Sequence, residues 1–158
     1  MINIRRWSAR HARFIESVYE GLERILVAMH PFFTRIGYQR LEKPTAAVER
    51  VVKGFLFDTK MCGSCTLGAT GMVCPMNCPK RLRNGPCGGV RTNGNCEVKP
   101  EMPCVWMEAY HGSLLMKHGE RIRTIQAPVD HRLAGTSSWL REVRRKVGTE
   151  SNLGETND

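Results

Sequence analysis

No aromatic residue occurs between Phe57 and Trp106, although that interval is nearly a third of the chain. It holds all seven cysteines, five of the eight prolines and seven of the fifteen glycines. A segment so poor in large side chains buries too little surface to offset its ordering entropy. Bound metal is the expected alternative, because metal-binding free energy becomes folding free energy. Long apolar runs are missing too: 18 consecutive apolar residues occur nowhere, so no transmembrane helix is expected. The basic start (Arg5, Arg6, Arg10, Arg13) is followed by neither an apolar stretch of signal-peptide length nor a small-residue cleavage site. A cytoplasmic location is therefore expected, where thiols stay reduced and cysteine clusters bind metals or do redox chemistry. An odd cysteine count also argues against a closed disulfide set.

Acidic residues are in deficit, 15 against 24 basic, for a formal charge of +9. The excess is spread out: +5 over residues 1–57, +3 over 58–104 and +1 over 105–158. No aromatics interleave with the basic residues as a nucleic-acid stacking platform requires. The charge reads better as a solvated face or the complement of an acidic partner protein, and nucleic acid is not an expected partner.

The expected fold class is mainly α, with an irregular, loop-rich cysteine/metal module between helices. Four regions are expected: an N-terminal helical region at 1–57, the cysteine module at 58–104, a C-terminal helical region at 105–148 and a disordered polar tail at 149–158. Ile4, Trp7, His11, Phe14, Ile15, Val18, Leu22, Ile25, Leu26 and Met29 recur at steps that predict one helix over 4–29, ended by Pro31. After a connector with Gly37 and Pro44, a helix over 45–56 is predicted, Pro44 in its first turn and Val48, Val51, Val52, Phe55 and Leu56 as its apolar face. A third helix is predicted over 105–118 from Trp106, Tyr110 and Leu114. A short one near 138–146 is expected to be capped by Ser137 or Ser138, with Arg144-Arg145-Lys146 in its last turn.

The candidate ligands are Cys62, Cys65, Cys74, Cys78, Cys87, Cys96 and Cys104, spaced C-x2-C-x8-C-x3-C-x8-C-x8-C-x7-C. Gly63-Ser64 between the first two is a tight turn that can aim two thiolates at one metal. Proline follows Cys74 and Cys78, a pairing also found in ferredoxin-type cluster motifs. Gly63, Gly88 and Gly89 allow backbone N–H groups to approach sulfur. Zinc uses the same residue types, and spacing alone does not separate it from iron–sulfur. Cys104, beside Val105-Trp106, is also a candidate for a small buried hydrophobe. The histidines have no ligand spacing, and no βαβ pattern surrounds Cys62-Gly63-Ser64-Cys65 to make it a thioredoxin-like dithiol.

The string C-P-M-N-C-P-K-R-L-R-N-G-P-C-G-G-V from Cys74 to Val90, followed by Gly94-Asn95-Cys96-Glu97-Val98, resembles the methylenetetrahydrofolate reductase C-terminal-like family. The likeness runs from about Val48 to Tyr110. It implies a small cysteine-rich subunit that accompanies the flavin-containing methylenetetrahydrofolate reductase in tetrahydrofolate one-carbon metabolism. It also implies at least one iron–sulfur cluster, of the 4Fe–4S kind, with zinc as an alternative or additional metal. Family members often carry a further cysteine three residues before the one matching Cys62; here that position is Thr59. With no dinucleotide glycine fingerprint and too few residues for a barrel, the chain is expected to be a non-catalytic partner of the flavoprotein. The alternative is a stand-alone zinc-stabilised interaction adaptor without a redox role.

Overall fold

The computed structural model describes residues 2–154 and is mostly helical, with an irregular cysteine-bearing stretch between helices. Six helices succeed one another: α1 (Ile2–Arg10), α2 (Ala12–Ala28), α3 (His30–Ile36), α4 (Tyr38–Phe57), α5 (Val105–Leu115) and α6 (Ser138–Gly154). Between α4 and α5 the chain forms only two 3-10 turns, Leu67–Ala69 and Pro75–Asn77, and two bridges, Val90 with Cys96 and Asn95 with Pro103. None of the described helices is long and apolar enough to cross a membrane.

Several boundaries differ from the expectation. The single helix over 4–29 breaks at His11, whose Nδ1 lies 2.9 Å from the Trp7 carbonyl and shares it with the His11 backbone N–H. That competition bends the helix without severing it, since Ile15 N–H still reaches the His11 carbonyl at 3.0 Å. Pro31 does not end a helix but opens α3, where its missing N–H costs nothing. Helix α4 begins at Tyr38 rather than 45, and Pro44 lies inside it. Tyr38 and Leu41 explain the extension: both pack on Phe33, Leu140 and Val143, and this tertiary contact outweighs the lost hydrogen bond. Helix α6 runs on to Gly154, so Arg144-Arg145-Lys146 lie mid-helix and the backbone of 149–154 is helical rather than disordered. The remaining tail positions, 155–158, lie outside the described residues. Ser137 is the cap, its hydroxyl accepting from Leu140 N–H at 3.3 Å.

Two predicted apolar faces are displaced. In α5 the buried residues are Val105, Trp106, Ala109, Gly112 and Ser113, while Tyr110 and Leu114 are exposed. Small residues win that face because α5 lies directly on the Gly71 turn. A methyl on Gly71 would overlap the Ala109 carbonyl, and one on Gly112 would overlap the Gly71 carbonyl. Gly71 also has φ +62°, which costs an L-residue about 1–2 kcal/mol. Gly71→Ala is expected to lower stability by more than about 2 kcal/mol, and Gly112→Ala by about 1–3 kcal/mol. Urea denaturation midpoints check both.

The larger displacement is in α4, whose buried face is Ala46, Glu49, Lys53 and Phe57. Val48, Val51, Val52 and Phe55 point outward, with Val51 71% and Phe55 67% exposed. The helix is inside out: a charged pair in the core and an apolar stripe in solvent. The N-terminal stripe divides in the same way. Ile15 is buried and Leu22 and Leu26 half-buried, whereas Trp7, Phe14, Val18 and Ile25 are exposed.

Helices and cysteine stretch share their cores. Ala12, Ile15 and Phe57 pack with Leu67, Met72, Cys74 and Met116. Ala9, Val105, Trp106 and Ala109 pack with Val73 and Cys78. Arg5 Nε donates to Glu108 Oε2 at 2.8 Å, and Glu16 accepts from the backbone N–H groups of Lys117 and His118 at 2.6 and 3.1 Å. The cysteine loops are thus clamped between the N-terminal helices and α5.

Candidate metal centre

The seven cysteines are all free thiols, and they divide into two groups. Cys62, Cys65 and Cys74 line one cavity, together with Thr59, Met61, Lys53 and Arg83. Left-handed backbone at Met61 (φ 45°) and Gly63 (φ 75°) turns the chain around this space. Gly63 is required twice over, since a side chain there would also strike the Leu133 carbonyl. Its own carbonyl accepts from the Arg141 guanidinium, which ties the turn between Cys62 and Cys65 to α6. Cys74 is buried, and burial pushes its thiol up to about 11 despite backbone N–H groups from Lys60 and Met76 that work the other way.

The other four thiols do not line that cavity. Cys78 is buried in the apolar cluster with Val105 and Trp106, and Cys104 packs against it. Cys96 donates its N–H to the Met102 carbonyl at 2.9 Å, and Cys104 donates to the Gly94 carbonyl at 3.0 Å, so the two bridges hold these loops together. Cys87 is exposed; its sulfur accepts from Gly89 N–H at 3.4 Å and lies 3.7 Å from Glu97 Oε1, which is paired with Lys80. Spacing did not reveal this division.

Two buried cations at the first cavity also escaped the sequence reading. Lys53 is 2% exposed and donates to Glu49 at 2.6 Å and to Ser138 Oγ at 2.7 Å. Its ammonium lies 5.8 Å from the Tyr19 ring centre and 5.2 Å from that of Trp139. Burial alone would lower the Lys53 pKa, but Cys65, Tyr19 and Glu49 together outweigh it and the net shift is upward.

Arg83 is different in kind. It is 8% exposed, and no carboxylate among the described residues lies within ion-pair distance of it. Its Nη2 donates to the Ser64 carbonyl and hydroxyl at 2.8 and 3.0 Å, its Nη1 lies 3.9 Å from Cys62 Sγ, and its Nε has no hydrogen-bond partner. A buried guanidinium without an anion costs several kcal/mol, and the acidic groups it faces are thiols. The donor set fits a thiolate-ligated metal: soft sulfur ligands, a cation to offset their charge, and a stiffened turn that aims two of them.

A second, larger cavity of about 560 Å³ adjoins the first. It shares Lys53, Gly63, Ser64, Cys65, Thr66, Leu67, Arg83 and Ser138 with it, and adds Tyr19, Trp139, Arg121 and Arg141. Among the described residues, a tight trio of possible ligands is found elsewhere: Glu16, Glu20 and His118, with ligand atoms within 4.8 Å of one another. Those carboxylates are engaged, Glu16 with two backbone N–H groups and Glu20 with Lys117 Nζ at 3.7 Å. The Cys62, Cys65 and Cys74 sulfurs do not all approach that closely.

A family model described as "Methylene-tetrahydrofolate reductase C terminal" matches residues 38–132. The chain belongs to that family. No curated protein and no solved structure matches it. The family segment begins at the first residue of α4 and contains all seven cysteines, Lys53, Arg83 and α5. Helices α1–α3 and α6 lie outside it. So do Ser138, Trp139 and Arg141, which complete the wall of the larger cavity. In this member of the methylene-tetrahydrofolate reductase C-terminal family, the cysteine cavities are therefore closed partly by residues beyond the family segment.

Proposed function

We propose that the chain is an accessory subunit of a methylenetetrahydrofolate reductase system, serving tetrahydrofolate one-carbon metabolism in the cytoplasm. In this reading it carries at least one iron–sulfur cluster of the 4Fe–4S kind and docks on the flavin-containing catalytic subunit. The observation that carries the metal part is Arg83, a buried cation with no carboxylate within ion-pair distance among the described residues and with the Cys62 sulfur 3.9 Å away. Cys62, Cys65 and Cys74 on one side, and Cys78, Cys87, Cys96 and Cys104 on the other, are the residues that would hold metal. A cluster there supplies one-electron transfer. Arg83 and Lys53 offset thiolate charge, Gly63 and Arg141 hold the turn between two ligands, and the apolar packing of Cys74 limits water at the centre.

The outward stripe of α4 supports the partner. Val48, Val51, Val52 and Phe55 form an apolar strip, and the exposed charges on the helix, Arg40, Lys43 and Arg50, are all basic. This face suits an apolar groove with an acidic rim on the reductase chain. Val51→Asp with Phe55→Asp is expected to abolish co-purification with the flavoprotein while changing the unfolding free energy by no more than about 0.5 kcal/mol per site, since both positions are solvent-exposed. Retention of the double variant on the flavoprotein at wild-type affinity would remove this surface from the proposal. Failure of the wild-type chain to bind any such flavoprotein at micromolar concentration would sink the subunit reading.

One observation favours zinc. The open-sided space among Thr59, Cys62, Cys65 and Cys74 is small, about 20 Å³, and in this conformation suits one ion better than a cluster. Zinc there would be held by Cys62, Cys65 and Cys74 and would supply a structural link between their loops. Anaerobic purification with metal and sulfide analysis decides between the two: a colourless protein with stoichiometric zinc and no sulfide makes the chain a zinc-stabilised adaptor.

A further inference from the structure

The first cavity supplies three thiolates and no fourth strong ligand. Cys78, Cys87, Cys96 and Cys104 do not line it. Thr59 and Met61 do, but the Thr59 hydroxyl is directed at the Met61 thioether, 4.0 Å away, and both groups are neutral. A neutral hydroxyl is a poor ligand for a thiophilic metal. Glu49 also borders the cavity, yet its oxygens are taken up by Lys53, Ser137, Ser138 and the Trp139 N–H. The larger cavity opens against the Cys65 side of this space and has the volume of a small-molecule site. Its Arg121 and Arg141, like Arg83, have no carboxylate within ion-pair distance among the described residues, and the two glutamates that also line it, Glu142 and Glu23, are paired with Arg145 and Lys146. Guanidinium groups in that state favour an anion.

We propose that Cys62, Cys65 and Cys74 form a three-thiolate metal centre with one exchangeable coordination position, which opens toward the arginine-lined cavity and takes a small carboxylate. The proposal rests on the metal-centre reading above and specifies what that centre does beyond holding the fold: it leaves one metal coordination site to an outside ligand.

Anaerobic reconstitution of the full-length chain with iron and sulfide, followed by mild oxidation, tests it by EPR. An iron without a thiolate leaves the cluster, so wild type is expected to give the signal of a three-iron cluster, reversed by ferrous iron and reductant. Thr59→Cys, which places a thiolate at the cavity wall, is expected to suppress that signal at least tenfold. Cys74→Ser removes it and Cys96→Ser, in the other group, retains it. Added malonate is expected to alter the signal of the refilled wild-type cluster after one-electron reduction by dithionite, and not that of Thr59→Cys reduced in the same way. A cluster that keeps all its iron in wild type overturns the open position while leaving the metal centre intact, and a null response to malonate overturns the carboxylate. If no cluster assembles, cobalt(II) is the probe: charge-transfer intensity for three thiolates, lost in Cys74→Ser, upholds the site. Intensity for four overturns it, and no binding overturns the metal centre itself.

Discussion

Glu49→Ala is expected to lower the unfolding free energy by about 3–5 kcal/mol, the usual cost of stripping one partner from a buried ion pair. Glu49 is 1% exposed and ties α4 to the start of α6. It accepts from Lys53 within α4, from the Ser137 and Ser138 hydroxyls, and from the Ser138 and Trp139 N–H groups that open α6. Alanine would leave the Lys53 ammonium buried without its carboxylate and the start of α6 without its acceptor. Replacing the pair together, Glu49→Leu with Lys53→Met, is expected to recover most of the loss, because no charge is then left unpaired. Chemical denaturation of the two variants beside wild type measures both effects. Burial raises the Glu49 pKa, but Lys53 and the two serines outweigh it and hold the carboxyl below the usual glutamate range. The folded-state value is depressed, so this contribution is present above the ordinary glutamate pKa and is lost as pH falls through the folded value.

Metal removal is expected to have the second large effect, and a local one. Structural metal sites contribute on the order of 10 kcal/mol of folding free energy, and the stretch from Asp58 to Cys104 has little apolar packing of its own to replace it. Chelation under anaerobic conditions should therefore collapse hydrogen-exchange protection over residues 58–104. Amides of α6, the start of α4 and the end of α2 should stay protected, since Phe33, Leu140 and Val143 pack with Leu26, Val27, Tyr38 and Leu41 without any cysteine. Uniform protection in the metal-free protein would show that the loops fold by packing alone.

How much of this was legible in the sequence differs from element to element. The Ser137 cap and the helix after it were readable because capping is a local matter of one hydroxyl and the N–H three residues on. The irregular cysteine stretch was readable from composition. The inward face of α4 was not. Periodicity identifies a stripe of Val48, Val51, Val52 and Phe55 but not the side it faces, and burying Glu49 and Lys53 instead depends on serines almost ninety residues away. The kink at His11 is equally hidden, since it comes from a side chain competing for one carbonyl. Grouping of the cysteines is set by loop paths through Gly63, Gly71 and the two bridges, which the spacing of the thiols does not disclose. Arg83 lay inside the family-like string from Cys74 to Val90, but only the absence of a carboxylate around it marks it as part of the centre.

The contacts that clamp the cysteine loops have a bearing on how the molecule is made. Arg5 with Glu108, and Glu16 with the Lys117 and His118 amides, join positions 101 to 103 residues apart. Bringing such distant segments together is a slow event in folding, because chain entropy is lost before any contact repays it. During synthesis α1 and α2 leave the ribosome long before α5 exists to receive them. Until the cysteine loops and α5 follow, Ala9, Ala12 and Ile15 lie uncovered beside the already outward Trp7, Phe14 and Val18. The nascent N-terminal segment is therefore apolar on two adjacent sides, a natural client for a chaperone and the part of the chain most prone to aggregate when translation stalls before Glu108.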